Sequence, residues 1–224
     1  MINAVIFDMD GLLVDSEPYW QEAGIEYLKE FGVSLTLDEY YVTTGLRTKE
    51  WLEYWFAHFG IDMKHANDAG PKIESLAVEK ILESARQMPG VFEVLSLFEN
   101  KGFAIGLATS SSHRLIDVIV DKLDIRSFFK AFSSAEHLEY SKPHPEVYLN
   151  CADKLGALAT ECICFEDSFN GMISAKAARM KCVVVPEPSF YNQSKWAAAD
   201  LKIPSLIHFG EKELELLING VPKK

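Results

Sequence analysis

Phe7-Asp8-Met9-Asp10-Gly11-Leu12-Leu13-Val14-Asp15-Ser16-Glu17 follows directly on the strand-like run Ile2-Asn3-Ala4-Val5-Ile6. A short apolar stretch that gives way to acidic residues and a glycine reads as a buried strand running out into a loop. Two carboxylates at i and i+2 just past such a strand are costly unless something positive sits between them. Carboxylate oxygens are the ligands that a hard cation such as Mg²⁺ prefers. Gly11 lets the backbone turn sharply and come close to a bound ion. Alone, the segment is equally well read as a turn with an Asx cap.

Working outward, further short apolar runs recur at Phe103–Ala108, Ala131–Ser133, Ile163–Phe165 and Cys182–Val185. Amphipathic stretches at Arg114–Leu123, Pro145–Leu155 and Gly171–Met180 lie between them. Strands alternating with helices predict an α/β fold, a Rossmann-like, doubly wound parallel sheet covered on both faces. The alternation is broken once, from about Ser16 to Met88, where the pattern is helical only. Trp51, Trp55 and Phe59 fall there on one helical face that must bury against something. Pro89-Gly90 punctuates the return to alternation. The expected organisation is a core of residues 1–15 and 88–224, with residues 16–87 inserted as a helical cap.

Three later strand ends add complementary chemistry. Thr109-Ser110-Ser111-Ser112 offers hydroxyls and N–H groups at the start of a helix, suited to a phosphate or simply to an N-cap. Ser141-Lys142-Pro143-His144-Pro145 sets a lone cation before the next helix, where a solvated surface lysine is the plain alternative. Glu166-Asp167-Ser168-Phe169-Asn170-Gly171 brings two more carboxylates, or else an N-cap at Asp167 or Ser168. Each plain reading stands when taken singly, but four complementary segments at successive strand ends are not an accident.

Asp8-x-Asp10-Gly11, Thr109/Ser110, Lys142-Pro143 and Glu166-Asp167 resemble, in order and spacing, the four motifs of the haloacid dehalogenase superfamily. The resemblance covers essentially the whole chain. It implies an Mg²⁺-dependent phosphohydrolase in which Asp8 is the nucleophile that forms an aspartyl-phosphate. Asp10 is implied as general acid and then base, and Thr109 and Lys142 as the hydroxyl and cation holding the transferred group. Ser110 would add a backbone N–H, and with Gly11 it would border the substrate. The implied Mg²⁺ ligands are the Asp8 side chain, the Asp10 backbone carbonyl and Asp167, with Glu166 a weaker candidate acting through water.

The motifs specify the reaction and leave the alcohol to the insertion. Arg47, in Gly45-Leu46-Arg47, is expected to reach a polar or anionic end of the substrate. The alternative is a surface arginine at the start of a helix over Thr48–Phe59. Glu17, Tyr19 and Trp20 follow the catalytic loop and can face the cavity, although a helical aromatic such as Trp20 is usually core. His113 and His144 are expected in structural or peripheral roles.

Within the superfamily, the stretches around Gly45-Leu46-Arg47, Ser133–Glu136 and Asn170-Gly171-Met172 resemble sugar- and hexitol-phosphate phosphatases. A β-phosphoglucomutase-like mutase is the alternative. Such mutases carry a histidine where this chain has Trp20, and Thr-Ala where it has Ser16-Glu17. Asp10 with Gly11 speaks against a dehalogenase, and an insertion plus a general acid speaks against a phospho-receiver module.

The 224 residues carry a net charge of −11. That balance argues against nucleic acid or an anionic membrane as partner. The resemblance implies a small phosphate monoester as the partner and a monomer as the default state. Cys151, Cys162, Cys164 and Cys182 sit in apolar contexts that suit buried thiols in a reducing compartment, hence the cytoplasm. Phe190–Ala199 is expected as a loop and short helix, and Lys223-Lys224 carries no motif.

Overall fold

The computed structural model describes residues 2–219. Its centre is a six-stranded parallel sheet in the order β3-β2-β1-β4-β5-β6. The strands are β1 (Ala4–Phe7), β2 (Ala104–Thr109), β3 (Ala131–Ser134), β4 (Cys162–Glu166), β5 (Lys181–Val184) and β6 (Leu201–Lys202). Between β1 and β2 the chain forms α1 (Glu17–Lys29), α2 (Leu37–Tyr40), α3 (Thr48–Phe59) and α4 (Ala66–Ser84), then α5 (Val91–Asn100). The remaining helices are α6 (His113–Lys122), α7 (Glu146–Leu155), α8 (Phe169–Ala177) and α9 (Glu211–Asn219).

The two-residue period of a strand decides which layer each side chain joins. Val5 and Phe7 belong to one apolar cluster with Leu107, Phe165 and Val183, covered by Val94 and Phe98 of α5, Ile116 and Ile119 of α6, and Leu214 and Leu217 of α9. Ala4 and Ile6 belong to the opposite cluster with Cys164 and Val184, covered by Val147 and Cys151 of α7 and Met172 and Ala175 of α8. Phe7 stacks on Phe165 with ring centroids 4.8 Å apart, and burying each such side chain stabilises by about 1.5–3 kcal/mol. All four cysteines are buried and unpaired, as expected.

Chain order runs from β1 outward to β2 and β3, then crosses back to β4 on the other side. That reversal opens a crevice beyond the carboxyl ends of β1 and β4, where open α/β sheets bind ligands. No helix among the described residues is long and apolar enough to cross a membrane.

The inserted helices pack as the aromatic spacing predicts. Trp51 and Trp55 are buried and Phe59 partly so, in one cluster with Tyr27 of α1 and Ile73, Ala77 and Ile81 of α4. The two segments joining the insertion to the sheet pair with each other. Asp15 N–H donates to Arg86 O (2.9 Å) and Met88 N–H to Leu13 O (3.0 Å), around an antiparallel bridge between Val14 and Gln87.

Most differences from the sequence reading are end effects. β2 starts one residue later than expected, and α8 starts at Phe169 because Ser168 Oγ caps it, accepting from Gly171 N–H at 3.0 Å. Residues 188–198 form two short 3₁₀ turns, Pro188–Phe190 and Ser194–Ala198, that lead into β6. Helices α5 and α9 and the two-residue β6 were not singled out in advance. Lys223 and Lys224 lie outside the described residues.

Candidate active site

The four segments singled out in the sequence meet at the crevice. Asp8 immediately follows β1, anchored by its N–H to Phe165 O (3.0 Å), and is almost wholly buried. Lys142, only 1% exposed, donates from Nζ to Asp8 Oδ1 and to Glu166 Oε1, both at 2.6 Å. A cation buried that deeply is tolerable only when paired, so the surface-lysine alternative fails.

Asp10 is held from four directions. Oδ1 accepts from Ser16 Oγ (2.7 Å) and Trp20 Nε1 (3.0 Å), and Oδ2 accepts from Ser111 Oγ (2.7 Å) and Thr109 Oγ1 (3.3 Å). Trp20, expected beside the substrate, therefore lines the cavity and also grips the acid. Ser16, at the start of the inserted stretch, also donates to the same oxygen. Thr109 Oγ1 also accepts from Ser111 N–H at 3.1 Å, which fixes the turn after β2.

Gly11 has φ +73°, the left-handed region that only glycine enters cheaply. A Cβ there would stand 2.2 Å from Asp167 Oδ2, so the close approach of β1's loop to Asp167 requires the bare backbone. Gly171 has the same task beneath Glu166, whose carboxylate oxygens lie about 1.9–2.0 Å from where its Cβ would be.

Glu166, the weaker metal candidate expected to act through water, is hydrogen-bonded at both oxygens. Oε1 accepts from Lys142 Nζ and the Tyr148 hydroxyl, and Oε2 accepts from Ser168 N–H (3.3 Å) and Oγ (3.0 Å). Both oxygens are engaged, although the residue lies beside Asp8 and Asp167, with ligand atoms of all three within 4.8 Å of one another. Tyr148 was not foreseen, because nothing in an amphipathic helix marks which aromatic will lie under a carboxylate.

Arg47 also does something other than expected. Its guanidinium donates to the carbonyls of Ala135 (3.0 Å), Leu138 and Glu139 (2.7 Å) and pairs with Glu50 at 3.2 Å. It ties the insertion to the loop after β3. Ser110 Oγ is likewise spent on the insertion, donating to Gly45 O at 2.8 Å, with Ser141 Oγ 2.9 Å away. Asn170 Nδ2 donates to Thr44 O (2.9 Å), and Glu50 Oε1 accepts from Ser141 N–H (2.9 Å). The side chains of His113 and His144 are exposed and lie outside the cavity.

Together these elements enclose a cavity of about 200 Å³, lined by Asp8, Asp10, Thr109, Lys142, Asp167, Glu17, Trp20 and Arg47 together with residues 43–49 of the insertion. That volume admits a small molecule. The electrostatics describe a site short of positive charge. Burial, aided by Glu166 and Asp10 and opposed by Lys142, raises Asp8 from 3.8 to about 8. Burial and the charges of Asp10, Asp8 and Asp15 raise Glu17 to about 8. Burial and Asp8 push Asp167 well above its ordinary value. Burial alone would lower Lys142, yet Asp8 and Glu166 hold it above its usual range. Oxygen donors that would rather bind protons than stay charged match a hard divalent cation such as Mg²⁺.

That mismatch has a thermal consequence. Between about pH 4 and pH 8 the unfolded chain sheds protons that folded Asp8 and Glu17 retain, so the stability of the metal-free protein falls as pH rises through that window. A cation bound at these carboxylates offsets the loss. Mg²⁺ is therefore expected to raise the melting temperature more at pH 8 than at pH 5, read by scanning calorimetry. Equal increments at both pH values would contradict the site.

A sheet of this order, with paired aspartates after its first strand, a buried lysine and an acidic fourth strand end, is the architecture of the haloacid dehalogenase-like hydrolases. The family's model matches residues 5–185, and the chain belongs to that family. Among its relatives, hexitol phosphatase B of Escherichia coli K12 is 39% identical over 214 residues, covering 95% of this chain and 96% of that one. Fructose-1-phosphate phosphatase YqaB of the same organism is 31% identical, covering 81% and 95%. A solved β-phosphoglucomutase from Clostridium difficile superposes with a TM-score of 0.84 over 98% of both chains; at 23% identity it shares the fold.

Proposed function

We propose that the protein is a phosphatase that cleaves small phosphate monoesters, of the sugar or sugar-alcohol class, through a covalent phosphoryl group on Asp8. The observation that carries this is the placement of Asp8, held 2.6 Å from Lys142 Nζ, on the same small cavity as Asp10, Thr109 and Asp167. The phosphatase-named relatives support the reaction, and the two sugar-phosphate names among them support the substrate class.

Lys142 occupies Asp8 Oδ1, which leaves Oδ2 to attack phosphorus in line with the departing alkoxide. The P–O bond to the alcohol breaks, and Asp10 delivers a proton to the alkoxide. Trp20 Nε1 can only donate, so Asp10 Oδ1 remains an acceptor and the transferable proton sits on Oδ2. Ser111 Oγ, which can rotate to accept, makes room for it there. In the second half Asp10 takes a proton from water as the water attacks phosphorus, the Asp8–phosphoryl bond breaks and inorganic phosphate leaves. Lys142 and the Thr109 hydroxyl hold the transferring group. Glu166, braced by Tyr148 and Ser168, fixes Lys142 in place.

The Asp8 and Asp167 carboxylates and the Asp10 backbone carbonyl are the groups that would hold Mg²⁺. When bound there, it supplies the charge that lets an anionic ester approach a carboxylate and steadies the transition state. The insertion, residues 16–87, acts as a cap that closes over the substrate and keeps bulk water out. The protein works in the cytoplasm, a reading supported by four buried, unpaired thiols, and as a monomer.

The test is phosphate release from a panel of hexose, hexitol, pentose and nucleoside monophosphates, with and without Mg²⁺. Magnesium-dependent release from sugar or sugar-alcohol phosphates is expected. Conversion of β-glucose 1-phosphate to the 6-phosphate, with no release from any monoester, would establish the mutase instead.

A further inference from the structure

Behind the active site lies a second cavity that the reaction does not use. It measures about 670 Å³, against about 200 Å³ for the active-site cavity. Glu17, Thr44 and Asp167 line both, so they form the partition between the two. The insertion supplies one wall through Pro18 of α1 and through Tyr41 and Val42. The core supplies the other through Phe169 of α8 and through Phe190 and Trp196 of the two 3₁₀ turns before β6. Tyr41 and Phe190 meet edge to face between the two walls, with ring centroids 4.3 Å apart. Val42 is 61% exposed and Phe169 39%, so a ligand has open access to apolar surface on both sides. A large, mostly apolar concavity with few polar groups is the ordinary form of a small-molecule site.

The charges on the wall decide which small molecule fits. Lys195 is the one cation lining this cavity among the described residues. Its ammonium lies over the rings of Trp196 (4.9 Å), Phe190 (5.5 Å) and Phe169 (5.7 Å). It has neither an ion pair nor a hydrogen bond among the described residues. Nearby lysines are engaged: Lys176 and Lys181 pair with Asp200 at 2.6 and 3.0 Å, and Lys202 donates to Tyr191 O at 2.7 Å. The rings that shed water from Lys195 lower its pKa, and cation–π contacts at such exposure return only about 0.5–1 kcal/mol. An anion placed there gains a charge-assisted hydrogen bond with no competing partner to displace. The remaining charges are carboxylates. Glu17 and Asp167 stand on the partition, Asp15 stands where the insertion begins, and Glu187 is exposed and accepts from Ser189 Oγ. An anionic group is therefore accommodated at Lys195 alone, with its apolar body lying between the insertion and the core.

We propose that this cavity is a second ligand site, for an organic anion with an aromatic body. Its anionic group sits on Lys195, and its rings pack against the apolar wall that Tyr41 and Val42 share with Phe169, Phe190 and Trp196. Such a ligand touches the insertion and the core at once, so its binding also holds the two together. The site stands on its own residues and does not depend on the phosphatase reading.

The test uses two probes that share a two-ring body, 2-naphthoate and 2-naphthylmethanol, which differ only in bearing a carboxylate or CH₂OH. Binding to the full chain is read by titration calorimetry, with and without inorganic phosphate and Mg²⁺. 2-Naphthoate is expected to bind at one site per chain, about tenfold more tightly than the alcohol, the scale of one charge-assisted hydrogen bond. Lys195→Met is expected to remove that preference while leaving the affinity for the alcohol unchanged, and Lys195→Arg to keep it. Val42→Asp, at an exposed position on the opposite wall, is expected to weaken the naphthoate more than the alcohol. Should Lys195→Met fold poorly, Val42→Asp carries the same test. Binding of neither probe, equal affinities for the pair, or a preference that survives these two variants overturns the proposal. So does displacement of 2-naphthoate by inorganic phosphate with Mg²⁺, which would put the probe in the active-site cavity.

Discussion

Asp8→Asn removes phosphate release by about 10⁴-fold or more, because the residue is the bond-forming group and no neighbour can replace it. Asp10 is tied by four donors, and Asp167 is proposed to hold the metal. The same substitution is expected to leave the metal-free protein at pH 8 as stable as wild type, or more so. Asparagine keeps an acceptor for Lys142 while removing a carboxylate that burial already pushes up to about 8. Lost turnover with an unchanged or higher melting temperature is the signature of a residue retained for chemistry at the expense of stability. Residual magnesium-dependent turnover within about a hundredfold of wild type would mean that another group is the nucleophile.

The second large effect is at Lys142. Replacing it by methionine leaves Asp8 and Glu166 facing each other in a buried site without their shared cation. Breaking a buried pair in this way costs about 3–5 kcal/mol, and losing the charge clamp lowers kcat by a further 10² to 10³, roughly. A companion variant separates the two effects. Lys142→Met combined with Glu166→Gln removes one of the stranded charges, so most of the melting temperature returns while kcat stays low. If activity returned together with stability, Lys142 would be a structural support and not a holder of the phosphoryl group.

The grouping of the candidate site residues in one cavity was legible in the sequence because they lie at or beyond strand ends. Asp8, Asp10, Thr109, Lys142 and Asp167 each follow a short apolar run, and parallel strands bring those ends together without any distance information. The helix Thr48–Phe59 was readable to the residue, since Gly60 at φ +67° stops it and Arg47 opens it. What could not be read depends on which surfaces meet. Tyr148 beneath Glu166, Trp20 on Asp10 and Ser112 on Glu74 join segments from 10 to 38 residues apart. What the Arg47 guanidinium holds was hidden for the same reason. A guanidinium after a glycine looks free to reach a ligand until the loop after β3 presents three carbonyls to it. Glu166 was read from its neighbour's role, yet its oxygens are claimed by Lys142, Tyr148 and Ser168.

The paired segments 13–15 and 86–88 bring the two ends of the inserted helices together. Because Asp15 bonds to Arg86 and Met88 to Leu13, the chain leaves the sheet and returns to it at neighbouring points. A segment of different length and sequence, spliced at the same two points, meets the same geometric boundary condition and leaves the registers of β1 and β2 untouched. A chimaera carrying a relative's residues between these points should therefore keep the sheet and its aspartates while changing which alcohol is accepted. A transplant that changes which alcohol is accepted must therefore keep Ser16 and Trp20, because both donate to Asp10.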